Sequence, residues 1–198
     1  MKKIFTLCFA LFSAVTMFAQ ETKGMFEFAT ADGTVVPSGT VITKSDVEDF
    51  TDPEEGEDDM QIPTGLFVKP IKTDLNGEKI YVKLRLNVER IDHGSIAFCL
   101  LGNCKNASEK GEFESNAGFV DKLDDLKTEW KIVDEETHKA KYGEAKAKLT
   151  LVVCRKKSLG KDQHGIEKFK YEDIGESSTV TVHFVYNEKS TDINGISN

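Results

Sequence analysis

Residues 78–90 read EKIYVKLRLNVER, in which Ile80, Val82, Leu84, Leu86 and Val88 alternate with Tyr81, Lys83, Arg85, Asn87 and Glu89. Side chains on a strand point to opposite faces at every step, so strict period two predicts a strand with one face on a core and one in water. A helix would scatter the same apolar residues around its circumference. The pattern recurs in STVTVHFVYN at 178–187 and AKAKLTLVV at 145–153. Shorter candidates are MFEFAT at 25–30, TVVP at 34–37, GTVIT at 39–43, GLFVK at 65–69, SIAFC at 95–99 and GEFES at 111–115. Asp32-Gly33 and Asn76-Gly77 mark tight turns between them. Many short strands punctuated by turns predict an all-β fold, an antiparallel sandwich. Its inner face should include Val82, Leu84, Leu86, Leu149, Leu151, Val180, Val182 and Phe184. Val120, Leu123, Leu126 and Trp130 break the rule with spacings of three, three and four. They predict one short connecting helix, with Trp130 at the core edge.

The first nineteen residues have the parts of an export signal. Lys2 and Lys3 precede an apolar run from Ile4 to Phe18, and Ala19 offers a small residue for cleavage. The run is shorter than the roughly 20 residues a membrane span needs, and no later stretch approaches that length. Cleavage after Ala19 leaves about 180 residues and, by removing two lysines, takes the formal charge from −8 to −10. The expected localisation is secreted or outer cell surface. An acidic balance argues against nucleic acid as a partner, because phosphate contacts need clustered Lys and Arg.

In an oxidising compartment two close cysteines are by default a disulfide. Cys99 and Cys104, in CLLGNC, would face each other if Leu100 to Asn103 formed a four-residue hairpin loop, with Gly102-Asn103 supplying the turn. A structural zinc site wants a second ligand pair, which is lacking, and a thioredoxin-type motif has two intervening residues rather than four. Cys154 is left over, either a half-buried small hydrophobe or an alternative partner for Cys99 or Cys104.

IDHGSIAFCLLGNC, then LDDLKTEW, YGEAKAKLTLVV and TVTVHFVYN, is similar to a group of uncharacterised secreted Ig-like β-sandwich proteins of gut and oral anaerobic bacteria. The matching residues are Ile91, Asp92, Gly94, Cys99, Cys104, Leu126, Glu129, Trp130, Tyr142 and Gly143, and the likeness covers most of 24–187. It implies one Ig-like domain over 24–187 and supplies no activity. Two charged stretches depart from the pattern, 131–141 and a lysine-rich loop at 155–170. The terminal STDINGISN, within 188–198, resembles the polar linker that precedes a type IX sorting segment in such proteins.

DVEDFTDPEEGEDDM at 46–60 holds nine carboxylates and no base. A solvated acidic loop is one reading. A Ca²⁺ site using Asp52, Glu54, Glu55, Glu57, Asp58 and Asp59 is the other, since hard cations take several carboxylate oxygens, although the spacing is not that of an EF-hand. Catalytic motifs are absent: no nucleophile elbow, zinc-binding helix or phosphate loop occurs. Asp92, His93 and Ser95 are neighbours in sequence, but Asp92 and His93 on a strand would point to opposite faces and could not form a relay. The expected function is a non-catalytic secreted module that binds an extracellular protein or glycan. The alternative is a secreted polysaccharide hydrolase, supported only by abundant carboxylates.

Overall fold

The computed structural model describes residues 21–188, so the leader and nearly all of the terminal linker lie outside the described residues. Its elements are strands: β1 Phe26–Ala29, β2 Thr40–Lys44, β3 Glu48–Asp49, β4 Met60–Pro63, β5 Phe67–Pro70, β6 Asp74–Leu75 and β7 Glu78–Ile91. There follow β8 Ser95–Leu100, β9 Asn103–Ala107, β10 Gly111–Glu114, β11 Asp124–Asp125, β12 Glu129–Lys131, β13 Gly143–Lys161 and β14 Glu167–Tyr186. Among the described residues no helix is long and apolar enough to cross a membrane.

The alternation at 78–90 becomes β7, whose even-numbered residues from Ile80 to Val88 are buried while the odd ones face outward. β7 lies in a central sheet of order β10-β7-β13-β14-β2, with β6 paired beside it. Asn76 and Gly77, both at positive φ, close the two-residue turn from β6 into β7. Each of the eight expected inner-face residues is almost wholly buried. Fully burying each Val, Leu or Phe stabilises by about 1.5 to 3 kcal/mol, which holds the register. The other two sheets, β1-β5-β11 and β3-β4-β12-β8-β9, contribute Phe26, Phe28, Val68, Ile62, Ile96, Phe98 and Trp130 to the same apolar cluster. The pairing is antiparallel except for β2, which runs parallel to β14.

The short helix expected around Val120–Trp130 is not formed. Asp124–Asp125 and Glu129–Lys131 are strands, and β12 pairs with both β4 and β8. A spacing of four fits one helical turn, but it also fits two strand steps. Burial of Leu126, Thr128, Trp130 and Ile132 on one face shows that the second applies. Thr128 hid the alternation because it is polar yet buried, its hydroxyl bonding Leu126 O. Trp130 is wholly buried: its ring lies 6.4 Å from Phe184, and its Nε1 donates to His93 O at 3.0 Å.

The lysine-rich 155–170 stretch is likewise no loop. β13 and β14 run on as a two-stranded ribbon past the end of β7, whose last partner pair is Ile80 with Arg155. Outside the sheet neither face is covered, so no hydrophobic alternation was required of the sequence.

Candidate functional site

Cys99 and Cys104 are direct ladder partners on β8 and β9, with sulfurs at 2.02 Å and Cα atoms at 4.1 Å. The connection is tighter than a four-residue loop. Leu100 pairs with Asn103, leaving Leu101 and Gly102 as a two-residue turn at φ 52° and 76°. Positive φ at both positions matches the twist of a hairpin, at a cost for the leucine. Asp124 Oδ2 accepts from Leu101 N at 3.0 Å and steadies the turn. Cys154 bonds neither: it is buried on β13, with Sγ 3.6 Å from Asp173 Oδ1. Burial, then the Asp173 charge, pushes its thiol up to about 12.

The acidic residues stand apart from one another in function. Asp52 Oδ1 accepts from Glu54 N at 2.9 Å and shapes its own turn. Asp58 accepts from Ala140 N at 2.7 Å and from Lys139 Nζ at 3.3 Å; the first bond, chiefly, holds its carboxyl low. Glu57 lies 3.7 Å from His138, while Asp59 N donates to Thr51 Oγ1 at 3.0 Å. Glu54 and Glu55 are exposed. Among the described residues no three His, Cys, Asp or Glu side chains converge as a metal site would require. The loop is tied to the segment just before β13 by Lys139 Nζ on Gly56 O and Ala140 N on Asp58.

Asp92 and His93 are not on a strand: they lie in the bend between β7 and β8, both beside Gly143. Asp92 takes a bidentate bond from Arg90 Nε and Nη2 and accepts from Glu144 N, while the His93 ring stacks 5.2 Å from Trp130. A shallow hollow of about 360 Å³ beside them is lined by Arg90, Asp92, Tyr142, Glu144 and Tyr186. Arg90 holds the Asp92 carboxyl below its ordinary value, opposite to the raised value a glycosidase acid needs.

Sequence reasoning missed the outer face of the central sheet. Lys83 and Arg85 on β7 sit between Glu114 on β10 and Asp173 on β14: Lys83 Nζ is 2.6 Å from Glu114 and 2.9 Å from Asp173, and Arg85 reaches the same two acids at 2.8 and 3.0 Å. These charges satisfy one another. Toward the ribbon the face changes character. Tyr81 meets Phe119 at 6.1 Å and Tyr171 at 5.1 Å, both edge-on. Tyr171 is followed on the same face by Phe169, and Lys79 and Lys156 lie over the Phe119 and Phe169 rings at 3.3 and 3.6 Å.

The ribbon itself is open on all sides. Every residue from Lys157 to Tyr171 except Asp162 is exposed, including Leu159, Ile166, Phe169 and Tyr171. Lys157 and Lys170 face each other and share one carboxylate, Glu172. The tip is nonetheless built, since Asp162 Oδ1 accepts from the amides of His164 and Ile166. Residues 155–171 carry six Lys and Arg against Asp162 and Glu167, on a chain of net charge −8. The signal available in the sequence was this reversal of charge, with aromatics between the lysines. No family model matches the chain, and no curated protein is significantly similar to it.

Proposed function

We propose that this chain is a secreted or surface-held, non-catalytic Ig-like β-sandwich module that binds an extracellular protein or glycan, with the ribbon and its aromatic–lysine stripe as the contact surface. The observation that carries this reading is the ribbon. A two-stranded β-ribbon in water is marginal by itself, and large exposed apolar side chains cluster where a protein meets something else. Four such side chains fall within thirteen residues here, on an element that adds nothing to the core. Rings standing on a rigid strand offer stacking faces, and the lysines beside them favour an anionic partner. The export signal and the likeness to secreted sandwich proteins support the location.

The test is a ribbon-shortened chain in which 157–170 is replaced by Asn-Gly, joining Lys156 to its ladder partner Tyr171. Both chains are presented to immobilised acidic and neutral polysaccharides and to a set of extracellular proteins. The intact chain should bind at least one, and the shortened chain should lose that binding while keeping its unfolding midpoint. Equal binding by both would overturn the assignment.

A further inference from the structure

We infer that the ribbon's partner is a second copy of this chain, docked head to tail on the acid-rich loop 46–59; the inference rests on the binding role proposed for the ribbon. The two surfaces are complementary in charge and in kind. One is a basic strip bearing Phe169, Tyr171, Leu159 and Ile166; the other holds nine carboxylates and no base, with Phe50 58% exposed among them. Their placement forbids an internal match. The loop packs on Lys139 and Ala140, just before β13 begins, through Asp58 and the bond from Lys139 Nζ to Gly56 O. The ribbon tip is at the far end of the same strand, roughly 60 Å away at about 3.3 Å per residue. Some of these charges are paired locally, Lys157 and Lys170 with Glu172 and Asp58 with Lys139, but the two surfaces can meet each other only between copies.

The contact is heterologous: the surfaces that meet are different, so repetition adds copies without a dyad to stop it. Net charge opposes association at long range, but at physiological salt each charge acts over about 8 Å, so the local match decides. A strip this small gives a weak contact, populated where the protein is concentrated or held on a surface.

Sedimentation of the full chain from about 10 μM to about 1 mM protein at about 0.15 M salt, then at about 1 M, tests this. The weight-average mass should climb by about twofold or more without settling at a dimer, and should fall back as salt screens the contact. Two charge-reversed chains sharpen it: an arm variant with Lys157→Glu, Lys161→Glu, Lys168→Glu and Lys170→Glu, and a loop variant with Asp46→Lys, Glu48→Lys, Glu54→Lys, Glu55→Lys, Glu57→Lys and Asp59→Lys, which turns the nine carboxylates of 46–59 into six lysines against three acids. Each alone should stay monomeric, and mixing them should restore association, because acidic arm then meets basic loop. A wild-type chain that stays monomeric throughout, association by the loop variant alone, or no association on mixing would each overturn the head-to-tail contact. Ribbon-dependent binding to a polysaccharide or foreign protein, with the chain monomeric, would sink this inference and leave the proposed function standing.

Discussion

At the residue scale, the tightest requirement falls on Gly94. Its φ is 65°, and a Cβ built there would sit 2.0 Å from Lys131 O and 3.1 Å from Val133 O, both backbone atoms that cannot swing aside. Gly94→Ala should therefore cost about 2 to 4 kcal/mol in urea unfolding. Gly165→Ala is the control: φ is 77°, but nothing lies within 4 Å, so only the conformational cost of about 1 kcal/mol remains. Equal effects would show that the approach of Lys131 matters little. Cys154 gives a second expectation. With its thiol buried and pushed up to about 12, almost no thiolate exists near neutral pH. Peptide mapping after iodoacetamide treatment should find Cys154 unmodified in the native protein and alkylated after unfolding; ready labelling of the native chain would contradict the burial.

Among the elements, the β8–β9 hairpin and the ribbon depend on different things. The staple closes only a few residues, so Cys99→Ser with Cys104→Ser should lose about 2 kcal/mol in the chain-entropy model. The loss should be local. β9 is an edge strand whose residues are exposed up to Ala107, so hydrogen exchange should speed across Asn103–Ala107 while β7 stays protected. Uniform loss of protection would mean the staple supports the whole core. These two elements also mark what could be read in advance. Strands with one dry and one wet face were legible: β7, the first part of β13 and the last part of β14 followed the alternation. β12 was not, because Thr128 breaks the apolar run and a four-residue spacing fits either period. The ribbon was not, because with no buried face its residues are free to be lysines and glycines. The stapled pair was legible from compartment and spacing, but its turn was read too long, since Leu101 at positive φ is an unusual choice that only Asp124 and the tight ladder explain.

Over the whole molecule, the central sheet is held on its dry face by apolar burial and on its wet face by charge, and pH can separate the two. Glu114 is partly buried, which alone would raise its pKa. The bonds from Lys83 and Arg85 outweigh that, and the carboxyl sits below its ordinary value of 4.5. Asp92, lowered chiefly by Arg90, and Asp134, lowered chiefly by Lys141, behave the same way. A carboxylate depressed in the folded state binds its proton more readily when unfolded. Its stabilisation is therefore complete above the unfolded value and disappears as pH falls through the folded one. Glu129 works in the opposite sense: burial raises it, so its charge costs stability near neutrality and protonation relieves that cost on acidification. With Asp32, Asp58 and Glu172 also lowered by their hydrogen bonds, six depressed carboxylates against the one raised give a net loss of stability that begins as pH drops below about 4.5. Glu114→Gln should reduce stability by about 1 kcal/mol at pH 7, a modest figure because water reaches the pair, and by much less at about pH 3, where the wild-type carboxyl is being protonated. Glu129→Gln should do the reverse, matching or exceeding the wild type at pH 7. Urea midpoints taken across pH for the three chains decide it. A Glu114→Gln deficit that persists undiminished in acid would mean the residue acts through packing, and that the wet face of the sheet is not held by its charges.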